Sequence, residues 1–123
     1  MSTNEILDFQ RFSQEFNKYL EEVYDESFPI VLDYYTKTET GVDTFAKLLL
    51  NDPVKAYEVL LSIFKVDLTI KLLFEILIVK SFKDISLAEN MCNLLMKSFR
   101  CGDGNMAKKI ILDTLESRIR GIR

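Results

Sequence analysis

Histidine is absent from all 123 residues. It is the side chain most often used as a general base near neutral pH and as a nitrogen ligand for metals, so its absence removes the commonest carrier of both chemistries. Glycine and proline are scarce, four and two, too few for the turn-rich strands of a β-sandwich. Cysteine occurs twice, at Cys92 and Cys101. On one continuous helix these would lie about 13.5 Å apart along the axis, too far for a disulfide. The expectation is a buried thiol at Cys92 and a loop thiol at Cys101 in a reducing compartment. Long apolar runs are also missing. The best membrane candidate, Leu68 to Phe82, is interrupted by Lys71, Glu75 and Lys80, whereas a spanning helix needs about 18 or more uninterrupted apolar residues. The opening MSTNEILDFQ is acidic without an apolar core, so no secretory leader is expected and the expected location is cytoplasmic.

What is present points to helices. Apolar residues make up 48 % and charged residues 28 %, the profile of a soluble globular chain, and the length suits one domain, residues 1–123. Ser2 and Glu5 have capping-box spacing. Ile6, Phe9, Phe12, Phe16, Tyr19, Leu20 and Val23 then recur at intervals of three and four, an apolar stripe that predicts a first helix. Asp25 to Ser27 predicts a break. Phe28, Val31, Leu32 and Tyr35 form a second stripe with Pro29 in its first turn. The segment TKTETG is expected to be a loop with Gly41 just past a helix end, and Asp43 to cap a brief helix. Asp52-Pro53 is a helix start, with an N-cap carboxylate followed by proline at the first position. Val54, Tyr57, Leu60, Leu61 and Phe64 follow as its inner face. Asp67 and Ser86 are expected to cap the next two helices, the second carrying Leu87, Met91, Leu94, Leu95 and Ser98 inward. Arg100 to Gly104 reads as a turn. A last helix runs from about Asn105 to Arg120, with Ile111, Leu112, Leu115 and Ile119 inward. The expected fold class is all-α, a compact bundle of five to seven helices with a central hydrophobic helix near residues 67–82.

That central helix is the most informative segment. On a helical wheel Leu68, Leu72, Ile76 and Val79 share one arc, and Ile70, Leu73, Phe74, Leu77 and Ile78 fill a second, with Lys71 and Glu75 between them. A helix apolar on two sides needs cover on both. Either both arcs are covered within the chain, the favoured reading, or the arc Leu68/Leu72/Ile76/Val79 meets a second subunit or another protein.

Charge is uneven. Residues 1–43 hold ten acids against three bases, residues 44–90 six of each, and residues 91–123 three acids against seven bases. The two ends can attract one another. Lys108, Lys109, Arg118, Arg120 and Arg123 are the candidate nucleic-acid contacts, but Asp113 and Glu116 interrupt the basic face, and cations in a last helical turn suit the helix dipole without any ligand. A pI near 5.0 also argues against a duplex binder, so nucleic acid is the alternative reading. The segment CGDGN, residues 101–105, lacks the strand and lysine of a phosphate loop. The acids Glu21, Glu22, Asp25 and Glu26 lack the Glu-x-x-His partners of a dinuclear helical site. No catalytic residue, cofactor or metal site is expected. The Tyr34-Tyr35 pair is expected either to place one ring in the core and one outside or, the favoured reading, to leave a ring half-buried.

The stretch from Phe28 to Phe82 resembles a small helical domain found in archaeal proteins and named for predicted signalling output in Nitrosopumilus. The resemblance lies in LDYY (32–35), NDPVKAYEVLLSIF (51–64) and LLFEILIV (72–79). Where that family has a glycine after its Asp-Pro helix, this chain has Lys65-Val66-Asp67. The resemblance implies an archaeal, cytoplasmic helical module that passes signals by protein contact, with no catalytic residues. The functional expectation is therefore a non-enzymatic interaction or regulatory module, self-associating or bound to a protein partner.

Overall fold

The computed structural model describes residues 8–121. Seven helices follow one another: α1 (Phe9–Val23), α2 (Phe28–Thr40), α3 (Phe45–Asn51), α4 (Pro53–Phe64), α5 (Asp67–Ser81), α6 (Ile85–Cys101) and α7 (Gly104–Arg120). Among the described residues there is no strand. The all-α bundle agrees with the sequence; the Ser2/Glu5 capping box and Ile6 lie outside the described residues.

Most helix starts are set by one device. Asp8, Thr44, Asp52, Asp84 and Asp103 each accept a hydrogen bond from the backbone N–H three residues on, which satisfies a donor that the helix itself leaves unpaired. Three starts differ from expectation. Thr44, not Asp43, caps α3; Asp84, not Ser86, caps α6, because the helix begins at Ile85 and Ser86 already lies within its first turn. Val66 holds the N-cap position of α5 without a side-chain bond, and Asp67 is the first helical residue. The break between α1 and α2 is built by Asp25, whose Oδ1 accepts from the N–H and hydroxyl of Ser27 and the N–H of Phe28.

Helix ends use the left-handed conformation. Gly41 and Gly102 have φ of 81°, accessible to glycine without a Cβ clash. Lys65 does the same at φ 67° to end α4. The expected TKTETG loop is instead the last turns of α2. The hydroxyls of Thr36 and Thr40 donate to the carbonyls of Leu32 and Thr36, so these threonines stay inside the helix with their polar groups satisfied.

Buried residues from all seven helices form one cluster. Aromatic rings line much of it: Phe12, Phe16 and Phe45 stack across α1 and α3, and Tyr57 lies 5.0 Å from Phe99, ring centre to ring centre. The buried side of α6 is Ala88, Cys92, Leu95, Met96, Ser98 and Phe99; Leu95 and Ser98 of the expected stripe and the expected thiol Cys92 are among them, whereas Leu87, Met91 and Leu94 are not. The small residues Ala88 and Cys92 admit a close neighbour, while Leu87 and Leu94 are exposed. Tyr34 is 67 % and Tyr35 41 % exposed, so neither ring enters the core, and Tyr35 alone comes near the half-buried state.

Candidate interaction surface

α5 is held on three sides. Its inner arc, Ile70, Leu73, Phe74, Leu77, Ile78 and Ser81, is buried against α4, α6 and α7. At its start, the Asp67 carboxylate accepts from the Tyr57 hydroxyl of α4 and from the Arg100 guanidinium near the end of α6. These two bonds hold its pKa below the usual carboxylate range, and the second shows that α5 and α6 run antiparallel. Midway, Tyr19 of α1 donates to the carbonyl of Leu73. At the end, Ser117 of α7 donates to the carbonyl of Ser81 at 2.6 Å.

The second arc has no such cover. Leu68 is 58 % exposed, Leu72 48 %, Ile76 38 % and Val79 37 %. The favoured expectation that both arcs are covered within the chain is thereby corrected: the bundle spends its neighbours on the inner arc, and four large aliphatic side chains are left in a row along more than three turns. Lys71 and Glu75 edge the row, paired at 3.5 Å with each side chain one-third exposed.

The basic residues of α7 form no shared contact face, in keeping with the interrupting acids and against the alternative nucleic-acid reading of Lys108, Lys109, Arg118 and Arg120. Arg118 is drawn inward: its Nε donates to Glu15 at 3.1 Å, its terminal nitrogen to Glu22 at 3.0 Å, and its guanidinium sits 5.6 Å from the centre of the Tyr19 ring. The side chain is only 14 % exposed. The attraction between acidic N-terminal and basic C-terminal parts is realised here, within one chain. Lys109 pairs with Asp113 at 3.1 Å and Arg120 with Glu116 at 3.4 Å, while Lys108 is half-buried. The acids that interrupt the basic run in sequence neutralise it in space. The α6–α7 turn is shorter than the expected Arg100 to Gly104. Arg100 and Cys101 still belong to α6, Gly102 ends that helix, Asp103 caps the next, and Gly104 and Asn105 already lie in α7, so Cys101 is a helix-end thiol and not a loop one.

Two further apolar surfaces escaped the sequence reading. A groove of about 670 Å³ between α6 and α7 is floored by Phe82, Leu87, Met91, Leu94, Met106 and Ile110. Leu87, Met91 and Leu94 have the spacing of an inward stripe, but they line this groove, and Leu87 and Leu94 are exposed. The other surface is the outer side of α2, where Ile30 and Tyr34 are both largely exposed; they lie off the expected stripe, of which Val31 and Tyr35 are exposed as well, the buried residues of the helix being Pro29, Leu32 and Thr36. Among the described residues no group of three or more Cys, Asp or Glu is placed to hold a metal ion, and no helix is long and apolar enough to cross a membrane. Both cysteines are free thiols; Cys92 is buried, which pushes its pKa up, and Cys101 is the exposed last residue of α6. No protein-family model, no curated protein and no solved structure matches this chain.

Proposed function

We propose that this chain is a non-enzymatic interaction module, regulatory in character, that docks a protein through the open arc of α5. The observation that carries the reading is the row Leu68, Leu72, Ile76 and Val79, exposed in register on a helix whose opposite side is fully buried. Exposed apolar side chains scattered singly are ordinary, but a contiguous row edged by charge is the usual form of a protein contact. A module that passes signals by protein contact is also what the resemblance of residues 28–82 to the archaeal signalling-output domain implies. Two free thiols suit a reducing cytoplasm.

The test is the double variant Leu72→Ser/Ile76→Ser, compared with the wild type by circular dichroism and by quantitative mass spectrometry of proteins co-purified from the native cell. We expect the fold to survive with a loss of roughly 2–3 kcal/mol, since both side chains are half-buried, and the captured proteins to be lost. A variant that fails to fold shows the arc to be core. A folded variant that captures the same proteins as the wild type removes the arc as the contact.

A further inference from the structure

We infer that the open arc of α5 is self-complementary, and that a second copy of this chain occupies it with its own α5 running antiparallel. The inference rests on the reading of α5 as a contact face and names the occupant.

A symmetric dimer must use the same patch twice, so that whenever residue i meets residue j of the copy, j also meets i. A two-fold axis perpendicular to α5, passing close to Leu73 and Phe74, satisfies this condition for every open residue of the arc. Leu72 meets Ile76 of the second copy beside the axis, and Leu68 meets Val79 of the second copy farther out. These pairings lie about equally far on either side of the axis at 1.5 Å rise per residue.

The charges obey the same register. An axis in this orientation keeps a given flank of α5 on the same side of the interface in both copies. Lys71 and Glu75 lie on one flank, one turn apart and paired at 3.5 Å. Lys71 therefore stands opposite Glu75 of the second copy and Glu75 opposite its Lys71, forming an alternating set of four charges in which each pair can be made within or between chains. Lys80, the remaining charge beyond the row, lies about 20 Å along the axis from its own copy, farther than the ~8 Å over which exposed charges act at physiological salt. A parallel pairing sends the two charged flanks to opposite sides and gains none of this. The row is narrow beside the ~800 Å² that each partner buries in a standard interface, so the dimer belongs to the weak, reversible class, with a dissociation constant of roughly 10–500 µM.

Sedimentation equilibrium of the wild-type chain up to about 1 mM tests the pairing, together with two charge variants. The wild type is expected to pass from monomer to dimer across that range. Lys71→Glu places glutamate against glutamate, and Glu75→Lys lysine against lysine; each alone weakens the dimer roughly tenfold. Mixing the two variants restores opposite charges on both sides of the axis, so the mixture forms a heterodimer at least as tight as the wild type. A wild-type chain that stays monomeric throughout overturns the inference, as does a mixture no tighter than its components. Should a charge variant unfold, the wild type still decides: amide shifts that change on dilution must be confined to residues 68–80. Monomeric wild type combined with capture that Leu72→Ser/Ile76→Ser abolishes ends self-pairing and leaves the contact face standing. Unchanged capture by a folded variant that also stays monomeric ends both.

Discussion

Lys65 shows how one backbone angle can be set against a side chain's preference. Its φ of 67° is the only positive value at a non-glycine among the described residues. It closes α4 by returning its N–H to the carbonyl of Leu61 at 2.9 Å. For an L-residue the left-handed conformation costs roughly 1–2 kcal/mol, whereas glycine adopts it freely at the expense of a more flexible unfolded chain, about 0.4–1 kcal/mol. Relief exceeds expense, so Lys65→Gly is expected to stabilise the protein by about 0.5–1 kcal/mol, seen as a higher urea midpoint with unchanged slope. A lower midpoint would show that the lysine side chain contributes more than its backbone angle costs. The site was not legible in the sequence, because lysine carries no turn signal of its own. By contrast Asp52-Pro53 was legible directly, since a carboxylate and a fixed φ are both readable from residue type.

At the scale of elements, the fold was legible where a stripe meets one neighbour and illegible where it meets several or none. The stripe of α1 is mostly buried as its spacing indicates, with Phe12, Phe16, Tyr19 and Leu20 inside. For α5 the sequence showed two apolar arcs but not which one the bundle covers; that depends on where α4, α6 and α7 stand, which no local pattern encodes. For α6, Leu87, Met91 and Leu94 outweighed Ala88 and Cys92 as apolar residues, yet close approach to a neighbouring helix selected the small ones. Arg118 shows the same limit, because nothing local says that a lysine- and arginine-rich helix end reaches back to α1. Its removal has a defined consequence. Arg118→Ala leaves Glu15, whose side chain is 18 % exposed, without its cation, so a loss of about 2 kcal/mol is expected in denaturant unfolding. Lys109→Ala, which breaks an exposed pair with Asp113, is expected to cost less than about 0.5 kcal/mol. Equal losses for the two would mean that the α1–α7 pair is no better shielded than a surface pair.

For the whole molecule, stability at alkaline pH follows from its tyrosines. Burial, foremost, and the neighbouring Tyr24 push the pKa of Tyr19 far above its ordinary value of 10, against the opposing pull of Arg118; Tyr24 and Tyr57 are raised as well, chiefly by burial. A folded-state pKa above the unfolded one means that the folded state keeps its proton longer. The contribution is therefore complete below about pH 10 and falls as pH rises further, by about 1.4 kcal/mol per pH unit for each proton so held. Tyr19→Phe is expected to cost about 1 kcal/mol at neutral pH, through the lost bond to Leu73. It should also make the alkaline decline shallower by about one proton, measured by urea unfolding from pH 8 to 11. An unchanged slope would place the titration elsewhere.

The joining of α1 to α7 also has a consequence in time. Neighbouring helices such as α3 and α4, or α5 and α6, meet through connections of a few residues and can pair as soon as both exist. Arg118 is separated from Glu15 by 103 residues, and closing so long a loop is the entropically slowest meeting in the chain. During synthesis it cannot occur until α7 has left the ribosome. Until then Glu15 and Glu22 face water, and the Tyr19 ring waits for the guanidinium that will lie near it. The shielding of Glu15 by Arg118 thus becomes the clock for the last step of folding, while the apolar side of α1 can already pack on α2 and α3.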